Sequence, residues 1–159
     1  MRVLGIDPGF DRLGLAVLEG DPSKPELVWS DCVTPPKGLP EERLAIVYQA
    51  IIDAIKEYSP QKLAIETLFF STNKKTAIAV AEARGAILAA AGACSIQVSE
   101  YGPGTIKLAV TGHGGADKEA IARMIPHLVA LSSRKRLDDE LDAIAVGIAG
   151  LADRSSAFS

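Results

Sequence analysis

The chain opens on two short apolar runs, 2–7 and 13–18, separated by Pro8-Gly9-Phe10-Asp11-Arg12, a strand, turn and strand pattern that predicts a hairpin. Turn-forming residues from Gly20 to Pro25 follow, and the loosely alternating run 26–33 predicts a third strand, stopped by Pro35-Pro36. From Glu41 to Tyr58, Leu44, Val47, Tyr48, Ile51, Ile52 and Ile55 recur at steps of three and four, one stripe of an amphipathic helix that Pro60 ends. Residues 62–66 predict a short strand, and about 73–93 a long helix, apolar around most of its circumference and therefore in need of cover on several sides. A fifth strand is expected over 95–101, then helices over 105–110, 118–125 and 139–151, separated by loops rich in glycine or charge. Three early strands followed by helix, strand, helix and strand predict a mixed α/β sheet rather than a strictly alternating parallel one.

Composition narrows this picture. A chain of 159 residues, 48% of them hydrophobic, fits one domain over residues 1–152, with a frayed tail at 153–159. No apolar run approaches the roughly 20 residues that span a bilayer, and Asp7 comes too early for a signal peptide, so a cytoplasmic protein without a membrane partner is expected. Cys32 and Cys94 are isolated, which gives no support to a zinc or dithiol motif and predicts two reduced, buried, small hydrophobes. A net charge of -3 and a pI near 5.4 weigh against nucleic-acid binding unless basic residues gather locally.

The candidate chemistry lies in the acids. Strand parity puts Val3, Gly5 and Asp7 on one face, and Lys62, Ala64 and Glu66 on one face, so two acids end two hydrophobic strands. If those strands are adjacent and parallel, both carboxylates enter one shallow site at the strand ends. A third source is Leu137-Asp138-Asp139-Glu140-Leu141-Asp142-Ala143, where acids start an otherwise apolar helix. Asp139 and Asp142 share a face at i, i+3, but Asp138 and Asp142 would do so at i, i+4, and spacing leaves both open. Taken singly, each acid could equally be a turn former or a favourable charge at a helix start. Asp142 is harder to dismiss, because the apolar residues around it predict burial, and a buried acid needs a partner. Oxygen-only ligands suit Mg²⁺ or Mn²⁺. Four carboxylates balance two such cations about 4 Å apart, an arrangement that hydrolyses phosphodiesters.

Over essentially its whole length the chain resembles the RuvC family of bacterial Holliday-junction resolvases. The segments that carry the resemblance are Gly5-Ile6-Asp7-Pro8-Gly9, Ile65-Glu66 with Phe69-Phe70 and Asn73, and Ala83-Arg84-Gly85-Ala86. Further on come Glu100-Tyr101, Val110-Thr111-Gly112-His113-Gly114 with Ala116-Asp117-Lys118, and Asp139-Glu140-Leu141-Asp142-Ala143. The resemblance implies an RNase H-like fold with a five-stranded mixed sheet flanked by helices. It implies a homodimer that nicks two like-oriented strands of a four-way DNA junction in recombination and repair, with RuvA and RuvB as branch-migration partners. It implies two divalent cations per subunit, Mg²⁺ or Mn²⁺, on Asp7, Glu66, Asp139 and Asp142, the Asp-x-x-Asp-Ala pattern selecting Asp139 over Asp138.

The same resemblance makes Phe69 an aromatic that stacks on a base near the cut, and places Lys107 and Lys118 near the scissile phosphate. Lys74, Lys75, Arg84, Lys107, Lys118 and Arg134-Lys135-Arg136 lie among the motif segments, whereas many acids lie in 11–57, so a locally basic cleft is compatible with the net charge. Arg134-Lys135-Arg136 could hold phosphates or be solvated surface. Ala79, Ala83, Gly85, Ala86 and Ala90 form a small-residue surface where the resemblance places a dimer contact, burial within one subunit being the alternative. His113, in a glycine-rich loop, is read as a DNA contact rather than a metal ligand. Rival readings are a sugar-kinase or ATPase domain, which needs a far longer chain, another RNase H-like nuclease, and a non-catalytic junction binder.

Overall fold

The computed structural model describes residues 1–68 and 73–153. Among them the chain runs β1 (Arg2–Asp7), β2 (Leu13–Asp21), β3 (Lys24–Val33), α1 (Pro40–Tyr58), β4 (Lys62–Glu66), α2 (Lys74–Ala93), β5 (Gln97–Tyr101), α3 (Pro103–Thr111), α4 (Lys118–Leu128) and α5 (Asp138–Ala152). The strands form a five-stranded sheet in the order β3-β2-β1-β4-β5. β1, β2 and β3 are antiparallel neighbours, whereas β1 pairs β4, and β4 pairs β5, in parallel. The mixed sheet and the opening hairpin are therefore as expected.

Element ends differ where local chemistry favours a tighter turn. β2 and β3 continue through Gly20 and Pro25, because Asp21 accepts hydrogen bonds from the Ser23 N–H at 2.8 Å and hydroxyl at 2.6 Å and closes a short hairpin. β5 starts at Gln97 rather than Ser95, which adopts φ 53° in the turn leaving α2. Asp153, expected at the start of a frayed tail, accepts from the Tyr101 hydroxyl at 2.8 Å; residues 154–159 lie outside the described residues. Cys32 and Cys94 are free but half-buried rather than buried.

Strand parity divides the core in two. Leu4, Ile6, Leu13, Leu15, Val17, Leu63 and Ile65 pack towards α1 and α2. Val3, Ala16, Leu18 and Ala64 pack towards α3, α4 and α5, on the face that parity assigns to Asp7 and Glu66. α5 is the central helix of that face, with Ala143 through Leu151 all buried. It can lie this close because glycines meet at the contact: a Cβ on Gly5 would fall 2.6 Å from the Gly147 nitrogen, and one on Gly150 2.8 Å from both Ala64 Cβ and Val3 Cγ1.

α2 corrects the expectation that no segment is long and apolar enough to cross a membrane. Its 20 residues contain a stretch of mean hydropathy 1.3, because alanines together with Ile78, Val80, Ile87 and Leu88 keep the average high despite Glu82 and Arg84. Ala77, Ala83, Ile87, Ala90 and Ala91 bury one side of α2, whereas Ile78 is 60% exposed.

The glycine contact yields a first prediction. Gly5→Val should cost about 3 kcal/mol, through overpacking against the α5 backbone, whereas Gly92→Ala, where an added Cβ meets nothing of its own subunit within 4 Å, should be neutral or stabilising to the isolated subunit. Chemical denaturation of both variants measures the difference.

Candidate active site

Asp7 is the last residue of β1 and Glu66 the last of β4, and the parallel register pairs Ile6 with Ile65, so the two acids emerge side by side. On the other side of Asp7, Gly14 is its partner in β2, and a Cβ there would lie 2.6 Å from the Asp139 carbonyl carbon. The missing side chain lets the first turn of α5 sit directly above the end of β1. Sheet and helix thus bring Asp7, Glu66, Asp139 and Asp142 to one edge of the molecule. Of the two candidates that spacing left open, Asp139 is among the charges that raise Asp7, and both Asp139 and Asp138 act on Asp142.

The electrostatics follow from crowding. Burial, and then the charges of Asp142, Asp139 and Glu66, push the Asp7 carboxyl up from 3.8 to about 7, against an opposing pull from Lys118. Burial raises Glu66 as well, Asp142 adding to it and Lys107 and Lys118 opposing. Burial also raises Asp142, while its hydrogen bond from Lys118 works the other way. Lys118 Nζ stands 3.0 Å from Asp142 Oδ2, and Arg12 Nη1 3.4 Å from Asp139 Oδ2, two internal cations set against the acids. Among the described residues no three His, Cys, Asp or Glu side chains close on a common point tightly enough to hold a metal as they stand. The donor set nonetheless fits a hard divalent cation: the four candidate donors are all carboxylates, and the folded chain gathers them at an electrostatic cost that positive charge would relieve.

Beside the acids lies a cleft of about 220 Å³, bordered by Glu66, Asp142, Lys107 and Lys118 over an apolar floor that includes Ile106 and Val146. Both lysines that were expected near the scissile phosphate border this cleft. Lys74 and Lys75 are exposed on the first turn of α2, and Phe69 lies outside the described residues.

Other basic residues named as possible DNA contacts are engaged within the chain. The Arg84 side chain is only 12% exposed, with Nη2 2.5 Å from Glu100 Oε1 and Nη1 donating to the Glu66 carbonyl at 3.1 Å, so it braces the end of β4. Arg134 and Arg136 are both drawn onto Glu140; Arg136 is nearly buried there, whereas Arg134 and Lys135 remain exposed. The buried acid of α5 is likewise Glu140, 3% exposed, rather than Asp142, whose side chain is 32% exposed. His113 is exposed and accepts from the Gly115 N–H at 3.1 Å, organising its own loop. Arg12, Glu100, Glu140 and Ser30 escaped sequence reasoning, since ion pairs between distant segments leave no periodic signal.

Comparison with known proteins settles the family. The model for "Crossover junction endodeoxyribonuclease RuvC" matches residues 3–150. The chain belongs to the RuvC family. The RuvC of Moorella thermoacetica is 42% identical over 93% of this chain and 89% of that protein. The Thermus thermophilus RuvC structure superposes with TM-score 0.84 at 33% identity, covering 94% of this chain and 92% of that one. The same protein in complex with a Holliday junction substrate gives TM-score 0.87 at 32% identity and the same coverage. The sheet and its flanking helices are thus the RNase H-like fold that the resemblance implied, and the family's nucleases need divalent metal.

Because Asp7 binds its proton more tightly folded than unfolded, its contribution to stability is complete below about pH 4 and is lost as pH rises through about 7. Without added metal, Asp7→Asn should therefore melt above the parent chain at pH 8, by about 2 kcal/mol, and the gap should close towards pH 4. Thermal melts across that range check it.

Proposed function

We propose that the chain resolves four-way DNA junctions by paired, metal-dependent phosphodiester hydrolysis, with Asp7, Glu66, Asp139 and Asp142 holding two Mg²⁺ or Mn²⁺ ions per subunit. The observation that carries this reading is the emergence of Asp7 and Glu66 from adjacent parallel strands beneath the acidic first turn of α5, in a chain of the RuvC family. The likeness to the Thermus thermophilus RuvC in complex with a Holliday junction substrate supports the choice of DNA.

Bound at these acids, divalent cations would polarise the scissile phosphate and activate water for in-line attack. The chain's own groups orient the substrate. Lys107 and Lys118, on the border of the cleft, offer two ammonium groups to the phosphodiester, while Lys74 and Lys75 extend positive charge along the start of α2. Phe69, in the segment joining β4 to α2, is the proposed base-stacking residue.

Paired nicking requires two sites, and α2 supplies a surface for a second subunit. Ala83 and Ala90, expected at the dimer contact, are buried within the subunit. The outward side carries Ile78, Ala81, Gly85, Leu88 and Gly92, where added Cβ atoms at both glycines meet nothing. Those gaps let a second α2 approach closely. RuvA and RuvB are the proposed branch-migration partners.

Labelled four-way junction and linear duplex, each incubated with Mg²⁺ or Mn²⁺, test the function. Symmetric nicks in the junction alone are expected; equal cutting of both substrates, or cutting in a chelator, overturns the proposal. Asp7→Asn should lower cleavage by about 1,000-fold or more while leaving junction affinity within about twofold, as read by gel shift in Ca²⁺. Leu88→Glu should shift the chain towards monomer in analytical ultracentrifugation, because it buries a charge in the proposed contact.

A further inference from the structure

α5 starts without an ordinary cap. Its N-cap residue, Leu137, makes no side-chain hydrogen bond to the helix, yet the first two turns carry two of the proposed metal ligands, Asp139 and Asp142. The neighbouring acid, Glu140, points the other way, into the protein beside β3, and is 3% exposed. The Ser30 hydroxyl donates to its Oε1 at 2.5 Å, Arg136 Nε lies 3.3 Å from that oxygen, and Arg134 Nη2 pairs with it as well. Arg134 also donates to the Ser30 carbonyl at 2.8 Å, and Arg136 to the Ser132 carbonyl at 3.0 Å. One carboxylate thus ties together β3, the turn before α5 and the helix itself.

Replacing a buried ion cluster by apolar side chains is often neutral or stabilising, so net stability is a weak reason for this one. What the cluster supplies is direction. The glycine contacts set how far α5 stands from the sheet, but a helix resting on glycine can still roll or slide. At a radius of roughly 6 Å, a roll of about 10° displaces a side-chain oxygen by about 1 Å, enough to spoil a metal site.

We propose that Glu140 is a positioning residue of the metal site: its cluster with Arg134, Arg136 and Ser30 sets the rotation and axial register of α5, and so where Asp139 and Asp142 point. This rests on the reading that Asp139 and Asp142 hold metal. Glu140 itself touches neither substrate nor ion.

The test is calorimetric titration of Mn²⁺ into the full-length protein, beside melting temperature and single-turnover junction cleavage. Glu140→Gln, isosteric but uncharged, should weaken Mn²⁺ binding about tenfold and raise the Mn²⁺ concentration for half-maximal cleavage to match. Junction affinity in Ca²⁺ should stay unchanged. A lowered melting temperature with an unaltered Mn²⁺ affinity assigns Glu140 to stability alone and overturns the proposal. Should Glu140→Gln not fold, Arg136→Lys decides: it keeps the charge but loses the planar fork, and is expected to weaken Mn²⁺ about threefold, parental affinity overturning the idea. Asp142→Asn in the same titration should abolish tight Mn²⁺ binding. Retained binding there would remove the metal-site reading, and this proposal with it, whereas loss there with parental Glu140→Gln would refute the positioning role alone.

Discussion

The close approach of α5 to the sheet governs the rest of this structure. Gly5 and Gly14 on the strands and Gly147 and Gly150 on the helix remove the side chains that would hold the two apart, so backbone rests on backbone or on small apolar groups. That contact buries Ala143 through Leu151 and sets the first turn of α5 above the ends of β1 and β4. Larger residues at these positions would lift the helix, and the acids of its first turn would separate from Asp7. Close packing thus fixes both a core and a site.

The site stores an electrostatic tension that the chain only partly relieves. Burial and three neighbouring carboxylates push Asp7 up to about 7, while Lys118 and Arg12 lean on Asp142 and Asp139 from the rim. A divalent cation answers this arrangement more fully than a lysine can, because it carries twice the charge and accepts several oxygen ligands. Lys118 then has a second task available, since it borders the same cleft as Lys107 and can meet a phosphate. Two lysines at the cleft, with Lys74 and Lys75 exposed on the first turn of α2, supply local positive charge that is compatible with DNA binding by a chain of net charge -3.

Several arginines serve architecture instead. Arg84 braces the Glu66 carbonyl and pairs with Glu100, and Arg134 and Arg136 converge on Glu140. Each lies within a few residues of a motif, which is why sequence proximity alone suggested DNA contacts. The planar fork of arginine suits it to bracing, because one guanidinium can satisfy a carboxylate and a carbonyl together.

Periodicity by itself determined the order of strands and helices, the faces on which Asp7 and Glu66 lie and the acidic start of α5, since these depend on residues close in the chain. Resemblance to a family added the substrate and the choice of Asp139 over Asp138. Tertiary structure alone decided which charges are spent internally: Arg84 on Glu100, Arg12 near Asp139, and Glu140 on two arginines and Ser30. It also decided that Ala83 and Ala90 face inward, leaving Ile78 and Leu88 exposed on α2. The physical reason is common to all of these. An ion pair or helix contact between different elements or loops has no period, and it exists only once the fold has brought its partners together.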